Sequence, residues 1–246
     1  KSYWHESHLS LSVRFREFAR QDLIGALTAD STPFEPRWRG FLRVSENPWI
    51  QDHQVQKTIV YPAAGMVSMV LQGASQIGPN IPGLLGYEIT GMEIERAIIV
   101  PNTKHGVEVM LVIKSHRETA DGFSLDKNEF SIYSKQLDRD WARNATGSLH
   151  FRQRSPGREA AFRTQEARQK TLEDSCKETL NPRQLYEFLD TVGMNYGPLF
   201  QNMTEIRKDS SAGACVSTVR VPDTRSKMPA KFEYPHIIHP ATLDAM

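Results

Sequence analysis

Residues Tyr61-Pro62-Ala63-Ala64-Gly65-Met66-Val67-Ser68-Met69-Val70-Leu71-Gln72-Gly73-Ala74 carry apolar side chains at 63, 66, 67, 70, 71 and 74. That is the i, i+3, i+4, i+7 spacing of an amphipathic helix, with Pro62 at the opening turn where its missing N–H costs nothing. The small residues would let a sheet approach closely. Beyond Pro79, Pro82 and three nearby glycines the period becomes extended, and 93–100, 107–115, 130–135 and 142–151 read as strands. One long helix followed by a run of antiparallel strands predicts an α+β unit.

Working outward, residues 1–48 are broken by Pro33, Pro36 and Pro48 into short extended pieces and turns, a lead-in with one or two strands. The stretch RQRSPGREAAFRTQEARQK, within 152–179, has few large apolar residues and a Ser-Pro-Gly turn, and reads as a linker. Asn181-Pro182 then starts a helix whose stripe is Leu185, Phe188, Leu189 and Val192, ending at Gly193. A loop, GMNYGPLF, follows; strands are predicted over 203–208 and 212–221, and His239-Pro240-Ala241-Thr242-Leu243-Asp244 opens another helix on a proline. The predicted organisation is an N-terminal half over 1–151, a linker over 152–179 and the start of a second half over 180–246.

The chain has 246 residues, 30 Lys+Arg against 29 Asp+Glu, and a formal charge of +1. Near-neutrality removes the electrostatic case for nucleic acid or an anionic membrane as partner. Cys176 and Cys215 have no CxxC companion, so a reducing, cytoplasmic location is expected. The apolar runs are far shorter than the roughly 20 residues of a membrane span. The opening on Lys1 suggests a piece of a longer polypeptide. Two N-x-T sequons, at Asn144 and Asn202, would matter only in a secreted protein.

GxSxG, HExxH, GxGxxG and P-loop motifs are all missing, which removes the common hydrolase, zincin, dinucleotide and phosphate-cradle readings. His236 and His239 are three apart, but Pro240 ends one turn between them and any following helix, so no metal site is expected. His53 stands just ahead of the Pro62 helix, where unpaired amides stabilise developing negative charge. Asp244 occupies a similar place at the second Pro-opened helix, where its simplest role is a first-turn carboxylate.

A resemblance enters at these residues. His53-Gln54-Val55-Gln56-Lys57-Thr58-Ile59-Val60-Tyr61-Pro62 resembles the HxxxGxxxxP motif of dehydratase domains in polyketide and fatty acid synthases, with Lys57 in place of the glycine. Gly193-Met194-Asn195-Tyr196-Gly197-Pro198-Leu199-Phe200 resembles GYxYGPxF, and His239-Pro240-Ala241-Thr242-Leu243-Asp244 resembles HPxxLDxxxQ. Order and spacing agree as well. Tyr3-Trp4-His5-Glu6-Ser7 and Glu35-Pro36-Arg37-Trp38-Arg39 resemble the lead-in of the highly reducing iterative synthases of filamentous fungi, so the likeness covers nearly the whole chain.

The resemblance implies a double hot dog fold, two long helices each wrapped by an antiparallel sheet, whose second half is incomplete at the C-terminus. It implies dehydration of a β-hydroxyacyl thioester to the enoyl thioester, with His53 as base and Asp244 as acid. Pro62, Gly65, Tyr196, Gly197 and Pro198 would line the substrate, with amides at the start of the 63–74 helix taking the thioester oxygen. No metal or cofactor is implied, because the substrate arrives on the phosphopantetheine of an acyl carrier domain. The implied partners are that carrier, the other domains of the synthase and a second copy in a homodimer. The basic linker or Arg14, Arg16 and Arg20 would meet the carrier.

Three other readings stay open: a product-template cyclase of the same fold, a catalytically silent structural hot dog domain, and a hot dog thioesterase. Asp244 has opposed influences, because a first-turn position lowers a carboxyl pKa and burial raises it. For Lys57 the expectation is an exposed turn with negative φ, where lysine is nearly neutral.

Overall fold

The computed structural model describes residues 5–115, 128–153 and 156–246. Tyr3 and Trp4 of the lead-in motif, His116, and residues 154–155 of the linker lie outside the described residues. In chain order the elements are α1 (His8–Arg14), β1 (Ala26–Leu27), β2 (Arg37–Leu42), β3 (His53–Val55), β4 (Thr58–Ile59), α2 (Ala63–Ile77), β5 (Leu84–Ile94), β6 (Val107–Ser115), β7 (Asn128–Lys135) and β8 (Ala142–Gln153). They continue with α3 (Pro156–Ser175), β9 (Glu178–Leu180), α4 (Pro182–Thr191), β10 (Met194–Tyr196), β11 (Met203–Asp209), β12 (Ala214–Val219) and α5 (Pro240–Leu243).

An antiparallel six-stranded sheet, in the order β1-β2-β6-β7-β8-β5, curls around α2. In β6 alternate residues Val107, Val109, Leu111 and Ile113 are buried, the period-two pattern of a sheet with one face on the core. They meet Met66, Met69, Val70 and Ala74 of α2, each large apolar side chain contributing about 1.5–3 kcal/mol on burial. Gly73 sets the approach of helix to sheet: a Cβ there would stand 2.6 Å from Leu111 Cδ2. The predicted close packing of a small-residue helix is thus realised.

Three expectations on secondary structure are corrected, one of them the GMNYGPLF loop, whose Met194–Tyr196 form strand β10 paired with β3. The strand expected over 93–100 is instead β5, Leu84–Ile94, running through Gly86 and Gly91 with a register shift against β8 between Thr90 and Glu93. Gly91, with φ +57°, lets the strand bulge there. Ile98 and Val100 are buried because they cover the entry to α2, where Ile98 O accepts the Tyr61 N–H at 2.8 Å and Val100 N–H donates to Ile59 O at 3.0 Å. The third correction is the linker segment, most of which is the 20-residue helix α3. Pro156 opens it, and its Ala, Glu, Gln, Arg and Lys content is helix-forming without an apolar stripe.

The second region is smaller: β12-β11-β9 form an antiparallel sheet, and α4 packs on β10 and β11. A third sheet, β10-β3-β4, takes strands from both regions. Among the described residues no helix is long and apolar enough to cross a membrane.

Candidate active site

His53 reaches its place through a two-residue hairpin. Val55 pairs with Thr58, leaving Gln56 and Lys57 as the loop, with φ +49° and +63°. Positive φ at both central residues defines a type I′ turn, matched to the twist of the flanking strands and favouring glycine at the second position. The expectation of negative φ at Lys57 is therefore corrected. The turn is held by its neighbours: Gln56 N–H donates to Gly193 O at 2.7 Å, and Lys57 N–H to Asn195 Oδ1 at 3.0 Å. The lysine side chain does leave into solvent, 3.6 Å from Asp190, so its cost is confined to the backbone.

Strand β4 turns back beneath β3, and the His53 ring, 8% exposed, places Nδ1 2.7 Å from Val60 O. A carbonyl only accepts, so Nδ1 carries the proton and Nε2 keeps its lone pair. Antiparallel pairing of β3 with β10 puts Tyr196 directly opposite His53, ring centroids 5.4 Å apart. Phe200 closes the other side at 5.3 Å from the His53 ring and stacks on Tyr196 at 6.1 Å. Behind them Trp49, fully buried, packs on Tyr61, Phe200 and His239.

Asp244 arrives on α5. This helix is one turn long, His239 caps it by accepting the Ala241 N–H on Nδ1 at 3.1 Å, and Asp244 is the residue at its C-terminal end. The first-turn placement is therefore corrected, and the expected lowering by the helix dipole is absent. Burial dominates and raises the Asp244 carboxyl above the usual carboxylate range; the charge of His53 and a hydrogen bond from the Tyr196 hydroxyl pull the other way and lose. Burial also raises the Tyr196 phenol, with the Asp244 charge adding to it, so Tyr196 stays a donor. His53 and a carboxyl whose pKa burial raises thus lie within electrostatic reach of one another beside the rings of Tyr196 and Phe200.

Pro62 and Gly65 have structural duties here. Pro62 is the buried N-cap of α2, and the Gly65 N–H is committed to Pro62 O at 2.9 Å. A Cβ on Gly65 would stand 2.5 Å from Tyr61 Cε1, so this glycine admits the Tyr61 ring. The α2 amides without an acceptor inside the helix are those of Ala63 and Ala64. Gly197 and exposed Pro198 form the turn closed by Phe200 N–H to Gly197 O at 3.0 Å. Asp52, Val60 and Asn202 carry no site signal in the sequence: Asp52 merely adjoins His53, and Asn202 stands out only as a sequon.

His236 and His239 do come together despite Pro240, because one precedes α5 and the other caps it. With Glu233 they form a half-buried trio, Glu233 Oε1 lying 3.3 Å from His239 Nε2 and 4.0 Å from His236 Nε2. Because His239 Nδ1 accepts a backbone N–H, its proton sits on Nε2 and points at the carboxylate. That ring offers no free lone pair to a cation. Burial pushes His236 down to about 4, so it is neutral. Both sequon asparagines, Asn144 and Asn202, are fully buried and closed to glycosylation. A cavity of about 700 Å³ lies at the far end of α2 among Phe15, Trp38 and Ile77, and touches neither His53 nor Asp244.

The chain matches two family profiles, "Polyketide synthase dehydratase domain" over residues 21–135 and "Polyketide synthase dehydratase N-terminal domain" over 164–246. It is 37% identical over 255 residues to the highly reducing polyketide synthase phiA of a Fungal sp., covering 99% of this chain and 10% of that protein. It is 36% identical over 260 residues to tstA of Talaromyces stipitatus, another highly reducing polyketide synthase, covering 100% of this chain and 10% of that one. The chain therefore spans about a tenth of these relatives. Among solved structures, the dehydratase domain of the CurK module of the curacin synthase superposes with a TM-score of 0.69 at 18% identity, over 92% of this chain and 72% of that one. Two further CurK structures are inactive mutants, one an aspartate changed to asparagine and the other a histidine changed to phenylalanine.

Proposed function

The chain belongs to the polyketide synthase dehydratase domains, which dehydrate β-hydroxyacyl intermediates, and on that premise we propose that His53 and Asp244 are its base and acid. The fold is the double hot dog of that family. The observation that carries the assignment is the Nδ1–Val60 bond, which leaves His53 Nε2 as an acceptor near a carboxyl whose pKa burial raises.

His53 Nε2 takes the α-proton of the thioester, and the electron pair of that C–H bond becomes the α,β double bond. As the β-carbon–oxygen bond breaks, Asp244 gives its proton to the departing hydroxyl, which leaves as water. The proton on His53 then returns to Asp244 through solvent. Charge gathering on the thioester oxygen is met by the free amides of Ala63 and Ala64. Tyr196 donates to Asp244 and fixes its direction, while Trp49 and Phe200 exclude water.

The similarity to phiA and tstA supports a parent synthase of the fungal highly reducing type with this chain as one of its domains; the homodimer is part of the proposal. Substrate would arrive on the phosphopantetheine of an acyl carrier domain, with no cofactor in this domain. Exposed Arg14, Arg16, Arg168 and Lys170 are candidates for meeting the acidic carrier. Free Cys176 and Cys215 fit the reducing cytoplasm.

The test is incubation of the full-length polypeptide with a β-hydroxyacyl pantetheine thioester. Enoyl product is expected. A cyclised polyketone from a poly-β-keto substrate, with no enoyl product, would identify a product-template cyclase instead. No turnover of either substrate would identify a silent structural domain.

A further inference from the structure

Among the described residues, polar contacts from the segment carrying the base and from the helix carrying the acid meet at the backbone of one residue, Leu199. Asp52, next in the chain to His53, accepts the Leu199 N–H on Oδ2 at 2.9 Å, and its own carbonyl accepts the Gly197 N–H at 2.7 Å. This contact has no slack, because a Cβ on Gly197 would stand 2.5 Å from Asp52 Cγ. On its other side the Leu199 carbonyl accepts from Asn202 Nδ2 at 2.7 Å. The second proton of that amide goes to Ala241 O, in α5, at 2.9 Å. Asn202 is fully buried, so water does not substitute for either bond.

From these contacts we propose that Asp52 and Asn202 are positioning residues which, through the N–H and the carbonyl of Leu199, set the separation and orientation of His53 and Asp244. This rests on the dehydratase reading above. Neither residue is needed to touch substrate. Asp52 fixes the turn after Tyr196 against the strand bearing His53, and Asn202 ties the same turn to the helix that ends at Asp244. Ser68 Oγ, donating to Ile238 O at 3.1 Å, anchors the approach to α5 on α2, so the remaining freedom of α5 is taken up at Ala241. A carboxylate is suited to this duty because it binds a backbone N–H about twice as strongly as a neutral acceptor does. The expected consequence is geometric: misplacing reacting groups by about 1 Å costs on the order of 10² in rate.

The experiment compares Asp52→Ala, Asp52→Asn and Asn202→Ser with wild type in the full-length polypeptide, measuring kcat, KM and the pH profile of kcat on a β-hydroxyacyl pantetheine thioester. Asp52→Ala is expected to lower kcat about 10²-fold with KM within about threefold. The alkaline limb of its profile should move upward, because a loosened turn withdraws the Tyr196 hydroxyl from Asp244. Asp52→Asn keeps shape and an acceptor, and should recover most of the loss. Asn202→Ser acts from the other end and should give the same signature if Asp52→Ala does not fold. Unchanged kcat, or a loss with an unmoved alkaline limb that asparagine does not rescue, overturns the inference while leaving the dehydratase reading intact. An inactive wild type overturns both.

Discussion

Tyr196 and His53 are cross-strand partners: β10 and β3 run antiparallel with these two residues in direct register, rings 5.4 Å apart. This pairing brings His53 and Asp244 under one neighbour, since the hydroxyl that reaches Asp244 belongs to the residue opposite His53.

His53→Ala and Asp244→Asn should each lower dehydration of a β-hydroxyacyl pantetheine thioester by about 10²–10⁴, the usual worth of one proton-transfer group. Circular dichroism should be unchanged. Wild-type turnover in either variant would falsify the assignment.

Tyr196→Phe removes the donor that partly offsets burial at Asp244, so the carboxyl should rise further. Because the protonated form is the active one, the alkaline limb of the kcat profile should move to higher pH, and kcat near neutrality should fall about two- to tenfold, the worth of a hydrogen bond of about 0.5–1.5 kcal/mol. An alkaline limb that stays in place would show that Tyr196 does not act on Asp244.

Asp244 should cost stability in its ionised form. Its folded-state pKa is raised above the unfolded value, so the native state binds the proton more tightly; stability is greatest below the unfolded value of about 3.9 and is lost as pH rises through the folded value. Asp244→Asn should therefore be more stable than wild type at pH 7, with the advantage shrinking towards pH 4. Urea midpoints at the two pH values give the comparison, and a variant less stable at pH 7 contradicts it.

Lys57→Gly relieves a side chain from left-handed backbone at φ +63° and should stabilise by about 1 kcal/mol, raising Tm by roughly 2–4 °C. The exposed Lys57–Asp190 pair adds little to lose. Turnover should stay within about threefold, because His53 is held by Val60 and not by the turn. A large gain in rate would mean that lysine distorts the site.

The elements with a strong local signal were legible. α2 shows in its spacing of Met66, Val67, Val70 and Leu71, and β6 begins and ends where its alternating pattern predicts. The misplaced strand came from Ile98-Ile99-Val100, apolar because Ile98 and Val100 are buried under the approach to α2 and not because they join the sheet. α3 reads as a linker in sequence because it has few large apolar residues and a Ser-Pro-Gly turn, although its composition favours helix.

By itself the sequence determined the residue types that can do the chemistry and the local units that carry them: a histidine before a helix, a Tyr-Gly-Pro turn and an acid after His-Pro. Only the tertiary structure decided the sign of the Asp244 pKa, the tautomer of His53 and the duties of Asp52 and Asn202. Each depends on groups distant in the chain, and a local pattern holds no record of which carbonyl, amide or aromatic ring long-range strand pairing will bring into contact.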